Sequence, residues 1–422
     1  MTALRLVHFA DLHLGIELHG SPDPTTGLSS RVQDFLRAFD AVIDYAVSER
    51  VDAVLFAGDA FKNRDPNPTL QRAFAERIRR LTEAAIPTVL LVGNHDLPIA
   101  QSRATPMDIY QALGIPGIYV ARDIRCLLIP LREGQLQVVT LPWIPLNRSL
   151  ANDEIRSLDR EEIERRFRLA VSLGVQEALK ELDPAIPAVF LGHLSLEGAK
   201  VGGERSIMLG LDPFFSTVEL GLHDSPLDYV ALGHIHRHQV VAGRPPVVYA
   251  GSLERVDFGE EDEPKGFMVV EIGPGRYPER EVKWEFRPVP ARSFYTLRVK
   301  VSGEEPMASI ARAIERNARA ISGAIVRVFL ELEPEQADLI RLNDVRRALQ
   351  EHGAAHVAAI VRETDRMTRP RVEIRPEEAT DPVTMLQRWV DLHDLPDDRK
   401  RQIIERGREL IQRARETSAS SS

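Results

Sequence analysis

The sequence predicts a layered α/β fold on two observations. Short apolar runs of strand length alternate with segments of 3.6-residue periodicity, and six of the runs end in a polar cluster. Leu4–Ala10 leads into Asp11-Leu12-His13, Val51–Ala57 into Gly58-Asp59, and Pro87–Val92 into Gly93-Asn94-His95-Asp96. Pro187–Leu191 leads into Gly192-His193, Tyr229–Leu232 into Gly233-His234-Ile235-His236, and Pro246–Ala250 into Gly251-Ser252. Strand ends in an open α/β sheet face one crevice, so residues more than 200 positions apart are expected to share one site.

The helices follow in order. Asp34–Ser48 carries Phe35, Leu36, Phe39, Val42, Ile43, Ala46 and Val47 on one face, and Leu70–Ala84 and Glu161–Leu182 read the same way. Ser21-Pro22-Asp23-Pro24, Asp65-Pro66-Asn67-Pro68 and Gly202-Gly203 mark loops. Gly266–Ile272 and Val282–Phe286 close the first domain as strands, giving it the span 1–287. Arg287-Pro288-Val289-Pro290 is a boundary, because two close prolines interrupt a ladder. A small α+β unit, 291–375, is expected next. In it Tyr295–Val301, Ala324–Leu332 and His356–Arg362 are strands, and Met307–Ile321 and Gln336–Gln350 are helices. Beyond Pro370 and Pro376, Thr380-Asp381-Pro382 opens a helical pair, Pro382–Leu392 and Asp397–Glu416, within 380–416. The tail 417–422 is low-complexity and expected to be disordered.

Composition bounds the function. A chain of 422 residues exceeds one typical core. Its 43% hydrophobic and 28% charged residues are those of a globular protein. No apolar run approaches the roughly 20 residues that span a bilayer, so no membrane partner is expected. The first strand begins almost at once, leaving no room for a signal peptide, and the single cysteine, Cys126, is expected to pack as a small hydrophobe. A cytoplasmic location follows. The net charge of −9 speaks mildly against nucleic acid, although bound metals add positive charge that a residue count misses.

Asp, His and Asn at the strand ends, with no Cys, are ligands for a pair of Mn²⁺-, Fe- or Zn-type ions. Asp59 is placed to bridge them. Asp11 and His13 can turn to one ion, Asn94 offers a carbonyl oxygen, His193 an imidazole, and His234 and His236 can split between the two. His95 is the expected catalytic residue at the leaving group, since imidazole titrates in the useful range, and Asp96 is expected to orient it. Lys62 and Arg64 beside Asp59, and Arg103 beyond the third cluster, are candidate phosphate contacts. His8 reads as a core residue or as one backing the site from behind the ligands, His238 as a loop residue, and His352 with His356 as packing or surface residues. Glu260-Glu261-Asp262-Glu263 reads as a solvated turn.

Taken together, the five clusters resemble the motifs of the calcineurin-like metallophosphoesterases. Asp11-Leu12-His13-Leu14-Gly15 and Gly93-Asn94-His95-Asp96 resemble those of SbcD nucleases, and Arg31–Phe39 with the overall length those of the bacterial YhaO-type DNA repair exonucleases. The resemblance implies a β-sandwich flanked by helices and two Mn²⁺ ions. Asp11, His13, Asp59 and His236 would hold one ion, and Asp59, Asn94, His193 and His234 the other. It also implies an exonuclease, often with single-strand endonuclease activity, followed by a capping domain and a C-terminal helical segment for an SbcC-like coiled-coil ATPase. That segment carries Met385, Leu386, Trp389 and Leu392 as an apolar stripe. A homodimer is implied too, with Leu70–Leu81 and Met107–Leu113 as candidate helices. Lys62 departs from the pattern, standing where many relatives carry His or Asp. Two other readings remain: a small-nucleotide phosphodiesterase or phosphatase, and a catalytically dead scaffold of the ATPase.

Overall fold

In the computed structural model, described over residues 3–98, 103–146, 158–202, 213–303, 305–364, 383, 386–387, 390 and 397–419, the apolar runs become strands of two different sheets. The first sheet contains β1 (Leu4–Phe9), β2 (Ala53–Phe56), β3 (Thr88–Leu91) and β4 (Ile118–Ala121), these four parallel to one another. Antiparallel β13 (Gly266–Ile272) and β14 (Val282–Pro288) extend it in the order β14-β13-β1-β2-β3-β4. In the second sheet are β5 (Arg125–Pro130), β6 (Gln135–Leu141), β7 (Ala188–His193), β10 (Tyr229–Gly233), β11 (Gln239–Gly243) and β12 (Pro246–Tyr249), in the order β11-β12-β10-β7-β6-β5. Between β7 and β10 lies a short pair, β8 (Ser195–Leu196) with β9 (Phe214–Phe215). The two sheets, packed through a shared core, form the β-sandwich flanked by helices that the resemblance implies. Three of the polar clusters leave the first sheet and the other three the second.

Both faces of each sheet are covered, which is why the runs are continuously apolar rather than alternating. In β1, Leu4 and Leu6 pack between the sheets with Val189, Leu191 and Tyr229. Val7 and Phe9 point the other way, into the core beneath the helices α1 (Ser30–Ser48) and α2 (Pro68–Glu83). A third core lies under α4 (Arg160–Lys180), built from Phe167, Val171, Val175, Phe190 and Val230. Cys126 is half-buried at its margin rather than enclosed.

Local sequence explains where the helices begin. Ser29 caps α1 by accepting the Arg31 N–H, so the helix starts earlier than its apolar stripe. Asn67 caps α2 by accepting the Leu70 N–H at 3.0 Å, with Pro68 in the first turn. Asp159 caps α4 by accepting the Glu162 N–H at 2.8 Å. The short α3 (Asp108–Ala112) precedes β4. Sequence periodicity did not identify β4, β5, β6 or β11, because their runs are short or mixed.

Beyond β14, a three-stranded sheet has the order β15 (Phe294–Lys300), β16 (Ile325–Leu332), β17 (His356–Thr364). The helix expected over Met307–Ile321 is broken at Asn317 into α5 (Pro306–Arg316) and α6 (Ala318–Ile321). That over Gln336–Gln350 is a 3-10 turn, Pro334–Leu339, followed by α7 (Leu342–Glu351). Two compact units result. One holds residues 1–297, 310–328 and 342–360, and the other holds 298–309, 329–341 and 361–422. The expected helix Pro382–Leu392, its cap at Thr380-Asp381 and residues 420–422 lie wholly or mostly outside the described residues. The last helix, α8, runs over Asp397–Ala419, so it takes in the first three residues expected to be disordered. No described helix is long and apolar enough to cross a membrane.

The core under α1 and α2 is aromatic. Phe39 stacks on Phe74 at 5.4 Å and tilts against Phe9 at 5.6 Å, and Phe9 meets Phe56 at 4.8 Å. Phe39→Ala is expected to lower unfolding stability by about 3–5 kcal/mol in chemical denaturation. A loss below about 1 kcal/mol would show that this cluster does not anchor α1.

Candidate metal centre

The site lies where the carboxyl ends of β1, β2, β3, β7 and β10 converge, in agreement with the crevice rule. The loops after β1 and β2 are zipped together: Asp11 N–H donates to Gly58 O, His13 N–H to Asp59 O and Leu14 N–H to Ala60 O, at 2.9–3.0 Å. This registry brings Asp11, His13 and Asp59 side by side. Four non-glycine residues adopt left-handed backbone here, Asp11 (φ 52°), His13 (φ 46°), Asp59 (φ 61°) and His234 (φ 96°). Such strain is tolerated where the surrounding structure enforces it, and it gathers at functional sites. Gly58, at φ 96°, could not be replaced without strain, and a Cβ there would stand 2.5 Å from His193 Nδ1. At Gly93 a Cβ would collide with the Asp59 carboxylate.

All seven residues expected to ligate are brought together. Asp59 Oδ2 lies 3.6 Å from His13 Nε2 and 3.5 Å from His193 Nε2. Its Oδ1 accepts the His95 N–H at 2.8 Å. His13 Nε2 is 2.8 Å from His236 Nε2, and Asn94 Oδ1 is 2.9 Å from His193 Nε2 and 3.2 Å from His234 Nδ1. Asp11 accepts the His234 N–H through both oxygens, at 2.9 and 3.0 Å. Asp11, His13, Asp59, His193, His234 and His236 are all buried.

The tautomers decide what this cluster can hold. His193 Nδ1 faces Ala57 O at 2.6 Å and must donate to it, since a carbonyl has no proton. A neutral His193 therefore presents a lone pair at Nε2, and the atoms nearest that lone pair are the acceptors Asn94 Oδ1 and Asp59 Oδ2. Acceptors converge on acceptors, an arrangement that a cation satisfies. Among the described residues, three groups of close donor atoms result: Asp11, His13 and His236; His13, Asp59 and His95; and Asp11, Asp59 and His193. The donor set fits divalent metal.

The electrostatics agree. Burial pushes Asp11 up to about 6. Burial also opposes the Asp59 charge, but His193 and His13 beside it hold its carboxyl well below the usual carboxylate range. Burial and the neighbouring His236 push His13 down, whereas Asp59 and Asp11 overcome burial and carry His193 up to about 9. A proton on His193 thus answers the same two carboxylates that a bound cation would.

His95 stands at the margin, its ring 4.8 Å from that of His13 and its Nδ1 donating to Lys62 O at 2.8 Å. Asp96 does not orient it, and the expectation that it does is corrected. Asp96 is fully buried and takes backbone amides instead: Asp59 N–H at 2.9 Å, Gly93 N–H at 3.0 Å and Ala60 N–H at 3.0 Å. It clamps the loop after β2 to the loop after β3. Lys62, Arg64 and Arg103 are exposed and point no charged group at the ligand cluster in any contact among the described residues.

Three residues were missed. Trp143 lays its ring 4.7 Å from that of His234. Glu260, in the run read as a solvated turn, is buried with its carboxylate 2.8 Å from His236 Nδ1, and Lys265 is buried beside it. A run of four acidic residues gives no sign that its first member folds inward. His8 is a core residue bonded to Tyr229 Oη and Leu232 O, and His238 stacks on Phe286 at 4.3 Å. His352 bonds Ala348 O and His356 packs against His19, so these two form no pair.

Every amide that Asp96 accepts is a donor, and Asn cannot accept through its nitrogen. Asp96→Asn is expected to cost about 1–3 kcal/mol of stability in EDTA. Denaturation equal to wild type would count against the clamp.

Residues 4–238 match the calcineurin-like phosphoesterase family pattern. The SbcD component of the SbcCD nuclease of Bacillus subtilis is 24% identical over 381 residues, covering 88% of this chain and 89% of that protein. The corresponding SbcD protein of Rhodobacter capsulatus is 30% identical, covering 75% of this chain and 76% of its own length. DNA double-strand break repair protein Mre11 of Methanosarcina mazei is 26% identical, covering 83% of this chain and 48% of its own length. With its strand-end carboxylates and imidazoles gathered at one crevice and the family pattern running through all of them, this chain belongs to the calcineurin-like phosphoesterases as an SbcD-like, metal-dependent phosphoesterase.

Proposed function

We propose that the protein is a Mn²⁺-dependent DNA nuclease, an exonuclease with single-strand endonuclease activity, acting in DNA repair with an SbcC-like ATPase. The carrying observation is the buried Asp59 carboxylate set between His13 and His193, which supports a role for Asp59 as the bridge between two cations. One ion would be held by Asp11, His13, Asp59 and His236, the other by Asp59, Asn94, His193 and His234. Bound there, divalent ions lower the pKa of water to give a nucleophile near neutral pH and neutralise charge on a phosphodiester. The substrate class rests on the SbcD and Mre11 relatives.

The residues supply the rest. With Nδ1 committed to Lys62 O, His95 can hold and deliver a proton only through Nε2. That fixes the direction from which a leaving oxygen must approach. Asp96 holds the loops that carry Asp59 and Asn94 in register. Lys62, Arg64 and Arg103 would contact phosphates from exposed loops.

Residues 1–287 would form the nuclease domain, 291–375 a capping domain that can contact DNA, and 380–416 the segment that binds the ATPase. In the last helix, the 56% exposed Leu410 supports a partner surface. A homodimer is supported by an apolar cavity of about 390 Å³ between α2 and α3, lined by Ala75, Ile78, Ile109, Tyr110 and Leu113. Ile109 and Leu113 are 52% and 69% exposed at its mouth. A soluble cytoplasmic location accords with this role.

Two outcomes are expected. Labelled linear duplex and single-stranded DNA should be cut with Mn²⁺ and spared with EDTA. His95→Asn should lower the rate by about 10²–10⁴-fold while leaving metal binding intact. Hydrolysis of bis-p-nitrophenyl phosphate without DNA cleavage, with or without the ATPase, would replace the reading with a small-substrate phosphodiesterase, and no hydrolysis at all with a scaffold. Separately, Ile109→Glu with Leu113→Glu should convert a dimer to a monomer in light scattering, and an unchanged mass would refute this interface.

A further inference from the structure

His236 is held differently from His193, although both are histidines placed at strand ends. His193 is oriented by a backbone carbonyl, Ala57 O. His236 is oriented by a side chain: its Nδ1 lies 2.8 Å from Glu260 Oε1. The other oxygen of that carboxylate, Oε2, is fully committed. It accepts the Val256 N–H at 3.0 Å and lies 2.8 Å from Lys265 Nζ.

Lys265 is a lysine with no exposed side chain, and its ammonium is spent wholly on this region. Besides Glu260, Nζ reaches Glu263 Oε2 at 3.1 Å, Ser252 Oγ at 2.9 Å and the His236 carbonyl at 3.2 Å. His236 is therefore gripped at both ends. Ser252 N–H also donates to its carbonyl, at 2.9 Å. A buried lysine is costly to keep. Nothing in the core packing demands one here, since its role is met entirely by polar partners.

We propose that Glu260 and Lys265 are a positioning pair for His236. Glu260 accepts the proton at Nδ1 and so leaves Nε2 as a lone pair toward His13 and the cation site, while Lys265 holds Glu260 in the orientation that does so. A carboxylate partner makes an imidazole a stronger ligand than a carbonyl partner does. The two ion positions are then unequal by construction: the one served by His236 depends on the Glu260–Lys265 pair, and the one served by His193 does not.

Gln at position 260 cannot reproduce the arrangement. If its carbonyl accepts from His236, its NH₂ faces two donors, Val256 N–H and Lys265. If its carbonyl turns to those donors, its NH₂ forces His236 into the other tautomer and Nε2 carries a proton.

The inference rests on the metal-centre reading. The test is Mn²⁺ titration of the full-length protein by calorimetry, with electron paramagnetic resonance to detect a coupled pair, on wild type, Glu260→Gln, Lys265→Met and Glu263→Gln. Wild type should bind two ions. Glu260→Gln should bind one with wild-type affinity and the other about 10–100-fold more weakly, with loss of the coupled signal, and Lys265→Met should follow it. Glu263→Gln, which touches Lys265 but not His236, should retain both ions. Two ions at wild-type affinity in Glu260→Gln, or equal weakening of both, would overturn the pair while leaving the metal centre standing. No binding by wild type would overturn both. If Glu260→Gln shows no cooperative thermal transition, Glu260→Asp carries the same test, because it keeps the charge but shortens the reach by one methylene.

Discussion

A carboxylate buried as deeply as Asp59 is costly unless its charge is answered, and the architecture around the crevice is organised by that requirement. One oxygen is answered by the His95 amide, and the other faces His13 and His193. His193 cannot answer it while neutral, because its Nδ1 proton is committed to Ala57 O and its Nε2 turns a lone pair toward the same space. A divalent cation resolves the conflict for all of them. The fold holds the acceptors close at its own expense, through left-handed backbone at Asp11, His13, Asp59 and His234 and through glycines that no side chain could replace.

Rigidity comes from the backbone. Ala57 O fixes His193, Lys62 O fixes His95, and Asp96 collects the amides of two loops at once. Each of these partners is a peptide group whose position follows from strand registry, so the two sheets orient the site as they form. His236 is the exception. It lies beyond the end of β10, out of reach of the ladder, and takes its orientation from Glu260 on a loop after β12. That loop is in turn pinned by Arg255 through the carbonyls of Glu260, Glu261 and Glu263.

Much of this was legible in the chain. The runs ending in Asp11, Asp59, Asn94, His193 and His234 announce themselves, because strands buried on both faces must be continuously apolar and a metal ligand must be polar. Their ends are therefore sharp contrasts. Helices α1, α2 and α4 were legible through periodicity and caps. The misses share one cause. Glu260 and Lys265 look like surface residues because sequence gives charge but not direction. Asp96 looks like a partner of His95 because they are neighbours, although adjacent side chains on a turn point apart.

The sequence alone determined the ligand chemistry, the alternation of strands with helices, and the meeting of strand ends at one place. The tertiary structure decided that three ligand-bearing strands belong to one sheet and two to another, with the crevice spanning both. It also decided which nitrogen of each histidine faces inward. Both depend on contacts between residues far apart in the chain, such as His193 with Ala57 and His236 with Glu260. No local pattern encodes a partner's direction. That comes into being only when the sheets pack.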